Sequence, residues 1–268
     1  MKRVLLTGAA GDVGGRLRRL LKPVYAELRL SDLKPPADLA ADEPFLPADL
    51  ARLEQVEGIL EGVEGIVHLG GFSREASWET ILQANIIGCY NLFEAARRRG
   101  VARVVFASSN HAVGFHTPDE FPLPEAIVPF PDTYYGVSKV AGEALGALYA
   151  KRYGLDVISI RILSCFERPK NLRMLATWLS PDDCARLLEA CLAADKPGYR
   201  VVYGVSANTR GGWVSLDEAR ALGYEPKDDS EAFAAELIAR DGEPVPGDPV
   251  LAHLGGDFTL PDKNAEYL

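Results

Sequence analysis

Long apolar runs are missing from this 268-residue chain. No stretch approaches the roughly 20 apolar residues that a helix needs to cross a bilayer, so no such span is expected. Cysteine is sparse too. Cys89, Cys165, Cys184 and Cys191 form no Cys-x-x-Cys pair, and the 4 histidines offer no zinc spacing, so neither a disulfide framework nor a metal site is expected. Scattered reduced thiols suit a cytoplasmic protein. Basic charge is in the minority, with 29 Lys and Arg against 38 Asp and Glu, a net charge of −9. That balance argues against nucleic acid and anionic membrane surfaces as partners, because both select for clustered Lys and Arg. An anionic substrate would therefore need local positive charge. Met1-Lys2-Arg3 before Val4, Leu5 and Leu6 imitates a signal peptide, but the apolar run is too short and lacks a cleavage site. Internal repeats and low-complexity linkers are also lacking.

What is present is globular in composition, 47% hydrophobic and 25% charged. The length suits one large core with a small appendage, burying roughly 75% of the unfolded chain's surface. Short β-rich runs at Arg3–Thr7, Glu27–Ser31, Gly65–Leu69, Arg103–Ala107, Asp156–Ile162 and Arg200–Tyr203 alternate with helical patterns near 13–22, 50–61, 77–99 and 135–153. A further short strand is expected just before Ala48. Runs such as Val104-Val105-Phe106-Ala107 suit strands covered on both faces. The alternation predicts an α/β fold, a Rossmann-type doubly wound parallel sheet with a small C-terminal substrate lobe. Residues 1–165 would form the dinucleotide-binding part, and 166–268 the lobe and tail, interleaved with it. Phe115–Thr133, with Pro118, Pro122, Pro124, Pro129 and Pro131, reads as a long rigid loop. The tail from Asp241, with Pro244, Pro246, Pro249 and Pro261, reads as irregular chain over the surface or against a neighbour.

The first strand runs into Thr7-Gly8-Ala9-Ala10-Gly11-Asp12-Val13-Gly14, which opens a helix. Glycines there permit a tight turn and bring backbone close to a pyrophosphate on the helix N-terminus; the competing reading is a tight turn without ligand. Asp32 ends the second strand, 18 residues after Gly14. Its carboxylate can accept from adenosine ribose hydroxyls and repels a 2′-phosphate, which points to NAD over NADP, or it serves only as a turn residue before Lys34-Pro35-Pro36. Asp49 and Leu50 are placed to flank an adenine, and Leu69-Gly70-Gly71 ends a strand at the edge where ligands bind in such sheets.

Tyr135 and Lys139 stand at i and i+4, on one helix face. A phenol with an ordinary pKa of about 10 is a poor base, and a neighbouring ammonium together with a cationic nicotinamide would stabilise its phenolate. The alternative is an exposed Tyr–Lys pair. Tyr134 has Ser138 at i+4 and so lacks the spacing. Ala107-Ser108-Ser109-Asn110-His111 brings hydroxyls, an amide and an imidazole to the same sheet edge. There Ser109 is suited to polarise a substrate oxygen, while His111 alone reads more readily as structural.

Together these features resemble the extended short-chain dehydrogenases/reductases (the NAD-dependent epimerase/dehydratase superfamily) over about residues 1–165. Finer runs narrow the resemblance to NAD-dependent uronate dehydrogenases: His68-Leu69-Gly70-Gly71, Asn85-Ile86-Ile87-Gly88, Phe106 to His111, Tyr135 to Lys139, Arg161 to Cys165, Asn171 to Leu175 and Ser206-Ala207-Asn208. The surroundings depart from that pattern at Phe72, Arg74 and the Pro-rich loop. The resemblance implies oxidation of C1 of cyclic D-galacturonate or D-glucuronate by NAD⁺ to the aldarolactone, with Tyr135, Lys139 and Ser109 catalytic. It further implies that Gly8, Gly11, Asp12, Val13, Gly14, Asp32, Asp49, Leu50, Leu69, Gly70, Gly71, Ser73, Lys139 and Cys165 hold NAD. Ser73, Ser109, Asn110, His111, Ser164 and Arg173 would hold the sugar, with Arg173 on its carboxylate; by itself Arg173 reads as a solvated surface charge. A homo-oligomer is expected, with helices 77–99 and 135–153 at its interface. Two other functions fit the same residues: a sugar epimerase or reductase, and a non-catalytic NAD sensor, against which the intact Ser109, Tyr135 and Lys139 speak.

Overall fold

A computed structural model describes residues 1–245, 247–260 and 263. Its strands are β1 (Arg3–Thr7), β2 (Glu27–Ser31), β3 (Gly65–His68), β4 (Arg103–Ser109), β5 (Asp156–Ile162), β6 (Ser164–Cys165), β7 (Trp178–Leu179) and β8 (Tyr199–Gly204). Its α-helices are α1 (Asp12–Leu21), α2 (Leu53–Ile59), α3 (Trp78–Ile81), α4 (Gly88–Arg99), α5 (Tyr134–Tyr153), α6 (Met174–Thr177), α7 (Pro181–Ala193), α8 (Asp217–Ala221) and α9 (Ala234–Asp241). Six strands form one parallel sheet in the order β2-β1-β3-β4-β5-β8, and β6 pairs with β7 apart from it. The order reverses at β1, which puts a ligand crevice at the C-terminal ends of β1 and β3.

Side-chain alternation along the strands builds two cores. Val4 and Leu6 of β1, with Val67, Val105, Ile158 and Ile160, pack against Leu17 and Leu21 of α1 and Leu187 and Leu188 of α7. Leu5, one residue out of phase, joins Ile66, Val104, Phe106 and Val157 under Val56 of α2, Leu92 and Phe93 of α4 and Tyr149 of α5. The two-residue period turns successive side chains to opposite faces, and both faces are covered. Residues beyond 165 contribute to this unit, since α7 lies in the first core and β8 closes the sheet.

A buried ion pair ties three elements below the site. Glu143 of α5 accepts from Ser108 Oγ of β4 at 2.6 Å and from Arg161 Nε and Nη2 of β5, each at 2.9 Å. Burial opposes the charge on Arg161, but the hydrogen bonds to Glu143 outweigh it and hold the guanidinium above its ordinary value. Glu143→Ala leaves that guanidinium buried and unpaired, at a cost of about 3–5 kcal/mol. Thermal melting should fall by roughly 10 °C for a chain of this size, and a melt within about 2 °C of the native protein would show that the pair is dispensable.

Several expected elements come out differently. The strand before Ala48 is irregular: Phe45 makes one bridge to Leu30, with backbone bonds from Leu30 N–H to Pro44 O (2.8 Å) and from Leu46 N–H to Leu30 O (3.0 Å). Pro44 and Pro47 withhold the N–H groups that a regular ladder would need. The helix expected over 50–61 is confined to α2, because the Asp49 side chain folds the preceding residues into a turn by accepting from Ala51 N–H at 2.9 Å. The helix over 77–99 is interrupted by a π-turn at Leu82–Ile87. The Pro-rich loop contains a 3₁₀ turn, Pro118–Glu120, and folds back on itself through Phe130 N–H to Ala112 O at 3.1 Å. The tail starts as irregular, exposed chain but then turns inward: Leu254 is fully buried, and its N–H donates to His116 O at 2.9 Å. Pro246 and Pro261 lie outside the described residues.

Candidate active site

Gly8, Asp32, Asp49, Leu50, Gly70 and Gly71 line one cleft at the crevice. Gly8 has φ +70°, and a Cβ there would stand 2.7 Å from the Leu69 carbonyl carbon. A Cβ on Gly14 would stand 2.0 Å from the Gly8 oxygen. Gly11 caps α1 without a side chain, so the first-turn N–H groups around Asp12 and Val13 have no side-chain cap at that position. Such a helix start fits an anion, and the side-chain-free cradle before it fits the diphosphate of a dinucleotide. Leu50 lies over Gly70, where a Cβ would stand 2.6 Å from Leu50 Cδ1, and Leu69 packs into the core beneath.

Asp32 follows β2 directly and braces the glycine turn. Its Oδ2 accepts from Ala10 N–H at 3.0 Å and its Oδ1 from Leu33 N–H at 2.7 Å. Each carboxylate oxygen has a second lone pair, so the turn role and a ribose role are compatible. Asp32→Ala should raise the NADP⁺/NAD⁺ ratio of kcat/KM at least about tenfold, from the loss of a charge-assisted hydrogen bond. Unchanged selectivity in steady-state assays with the two cofactors would remove Asp32 from ribose recognition.

The reactive groups meet at the ends of β4 and β5. Tyr135 and Lys139 are both buried in the first turns of α5. Lys139 Nζ lies 5.2 Å from the Tyr135 ring centroid and donates to Ala107 O at 2.8 Å. Ser109 ends β4, and its Oγ accepts from His111 N–H at 3.2 Å. The His111 ring shares Nδ1 with Asp132 Oδ2 at 2.8 Å and lies 5.8 Å from the Tyr135 ring. Asn110 Nδ2 donates to Leu254 O at 3.3 Å, and Arg173 Nη2 donates to that same carbonyl. Arg173 is 8% exposed, its Nη1 reaches Ser164 Oγ at 3.5 Å, and its Nε has no partner among the described residues. Burial pushes its guanidinium down to about 10, opposed by Asp257 and Asp132, so it stays cationic at neutral pH. The local positive charge that an acidic chain requires for an anionic substrate is therefore present, in Lys139 and Arg173.

The remaining expected residues fall around this centre. Ser164 Oγ shares a hydrogen bond with Thr177 Oγ1 at 2.9 Å. Cys165 is buried beside Cys184, and that contact, with burial, pushes the Cys184 thiol well above its ordinary value. The Cys184 thiol is therefore not primed as a nucleophile. Ser73 stands exposed on the crest after Gly71. His68 is buried with Nδ1 at 2.8 Å from Thr7 Oγ1, and burial, aided by Lys139, pushes it down to about 3.

The family model for the NAD dependent epimerase/dehydratase family matches residues 4–180. The chain belongs to this family. Among its relatives, uronate dehydrogenase of Pseudomonas putida is 46% identical over 260 residues, covering 96% of each chain. An NAD-dependent glucose-6-phosphate dehydrogenase of Haloferax volcanii is 40% identical, over 90% of this chain and 97% of that one. A solved structure of a uronate dehydrogenase variant from Agrobacterium tumefaciens, complexed with NAD, superposes with a TM-score of 0.91 at 44% identity, covering 97% of each chain.

Within this family frame the structure adds roles that the sequence does not display. Asp132 fixes His111, and its position just before the Thr133 N-cap of α5 was a readable turn signal. Asn85, in the π-turn, holds the crest: its Oδ1 accepts from Phe72 N–H at 2.6 Å and its Nδ2 donates to Phe72 O at 2.9 Å. Gly71 at φ +132° leaves room for that amide, since a Cβ would stand 2.9 Å from Asn85 Oδ1. Phe258 packs against His111 with ring centroids 4.2 Å apart and planes tilted by 31°, a contact without any sequence signal.

Proposed function

We propose that this protein is a uronate dehydrogenase, oxidising C1 of cyclic D-galacturonate or D-glucuronate with NAD⁺ to the aldarolactone. The observation that carries this assignment is the shared Leu254 carbonyl. Asn110 and the buried, cationic Arg173 both donate to it, which brings the guanidinium near the end of β4 that carries Ser109 and supports a carboxylate-reading role for Arg173. The uronate dehydrogenase relatives support the same reading.

On this reading Tyr135 takes the anomeric hydroxyl proton, with the Lys139 ammonium beside its ring. Ser109 donates to the reacting oxygen, which gains carbonyl character as the C–H bond breaks. Bound NAD⁺ supplies the hydride acceptor for C1. Arg173 pairs with the substrate carboxylate through its planar fork, and Ser73, Asn110, His111 and Ser164 hold the sugar hydroxyls. Asp132 fixes the His111 ring on that shelf. The glycine turn and α1 receive the diphosphate, with Asp12 and Val13 in the first turn; Asp32 takes the adenosine ribose. Asp49, Leu50, Leu69, Gly70 and Gly71 surround the adenosine side, and Cys165 packs beside the nicotinamide. Residues 1–165 thus carry cofactor and chemistry, while segments after 165 supply Arg173 and the Leu254 strap. The enzyme acts in the cytoplasm as a homo-oligomer; among the described residues no helix is long and apolar enough to cross a membrane.

The assay is NADH absorbance with NAD⁺ and galacturonate, glucuronate or galactose. Turnover of both uronates with little of galactose is expected. Equal turnover of galactose removes the carboxylate role of Arg173, and no turnover of any sugar contradicts the assignment.

A further inference from the structure

One buried carboxylate beside this site has no part in the mechanism above. Glu75 lies on the crest that leaves β3, two residues after Ser73, and is only 4% exposed. Its Oε1 accepts from Tyr134 N–H at 3.1 Å and its Oε2 from Tyr135 N–H at 2.8 Å. These are the first two amides of α5, which as helix-start donors have no partner within the helix. The third, Gly136 N–H, is taken by Thr133 Oγ1 at 3.0 Å. An N-cap is ordinarily the residue before the helix, as Thr133 is here. Glu75 supplies a second cap from 59 and 60 residues away. The same crest packs Ala76 and, through α3, Ile81 against the Tyr135 ring.

Resting on the proposed function, we propose that Glu75 is a positioning residue. It clamps the start of α5 to the Ser73 crest, so that the Tyr135 phenol and the substrate-facing crest keep one fixed separation. The physical case is charge and count. A carboxylate is an acceptor-only group with two oxygens, matched here to two amide donors, and a negative charge is favoured at a helix N-terminus. No side chain of α5 itself can make this link, because Thr133 is committed to Gly136. The clamp also explains why a carboxylate is buried beside a site that binds an anion: both its oxygens are turned to the α5 backbone.

Glu75→Gln preserves volume but replaces one oxygen with an NH₂ group that faces an amide donor, and Glu75→Ala removes both acceptors. Active sites of each variant are counted by NADH fluorescence titration. Hydride transfer is then timed per site in a single stopped-flow turnover of galacturonate. The expected result is a rate per site about tenfold lower for Glu75→Gln and about hundredfold lower for Glu75→Ala, the scale set by roughly 1 Å of misplacement. KM for NAD⁺ should stay within about twofold of native in Glu75→Gln, because the glycine turn is untouched. Unchanged rates per site in both variants overturn the proposal. So does a Glu75→Gln protein that binds no NADH or has fewer sites at the native rate, since that is the behaviour of a residue needed only for folding. Failure of the functional assignment itself is distinct: the native chain would then transfer no hydride from galacturonate.

Discussion

Tyr135→Phe should oxidise galacturonate about a thousandfold more slowly than the native chain, while NADH fluorescence titration gives the same affinity. The expectation separates two jobs of one side chain. The ring packs with Ala76 and Ile81, and Phe keeps that packing, so fold and cofactor cleft survive. The hydroxyl is the only group lost, and removing a general base costs about 10²–10⁴ in rate. Lys139 cannot replace it: its ammonium donates to Ala107 O and has no lone pair with which to accept a proton. Ser109 alone leaves the residual rate. A Phe variant at one-tenth of the native rate would place the proton acceptor elsewhere, with His111 the nearest candidate.

Arg173→Ala should lower kcat/KM for the uronates about a hundredfold, mainly through KM, and leave the weak turnover of galactose nearly unchanged. The size follows from truncating one partner of a buried, hydrogen-bonded charge pair, typically about 2–5 kcal/mol. The guanidinium stands ready for this role because its Nε lacks a partner among the described residues and burial has already lowered its pKa to about 10. A carboxylate offsets that burial cost, so the free energy gained on binding the uronate is available to discriminate it from a neutral sugar. The Leu254 carbonyl would also lose a donor, and Arg173→Lys is the control. It keeps the charge but not the fork, and should lose about tenfold. A parallel fall for galactose and galacturonate would make Arg173 a support for the Leu254 strap instead of a carboxylate reader.

Local spacing made part of this legible in the sequence. Gly8, Asp32, Tyr135 and Lys139 are each defined by a turn or by an i, i+4 interval, and such features survive whatever the tertiary context. Strands buried on both faces read directly from their apolar runs. Other features depend on contacts between distant segments. The Leu254 carbonyl meets Asn110 across 144 residues, and Phe258 meets His111, from a tail that reads as irregular surface chain. Burial of Arg173 arises from that same strap, so periodicity around Met174 gives no sign of it. The strand before Ala48 failed as a regular element because two prolines flank Phe45. The π-turn at Leu82–Ile87 has no break in composition to announce it, only Asn85 turned toward Phe72. Glu75 sits in a polar run, Ser73-Arg74-Glu75, and only the fold reveals its burial and the two amides that it accepts from.

The most direct test follows the sugar carbon itself. The native chain is incubated with NAD⁺ and galacturonate labelled with ¹³C at C1, and ¹³C NMR is recorded alongside NADH absorbance. A lactone carbonyl signal from the labelled carbon, growing with one NADH per lactone, is the predicted result. A labelled anomeric carbon that moves to an epimeric sugar with no net NADH would contradict the dehydrogenase account and point to an epimerase on the same fold.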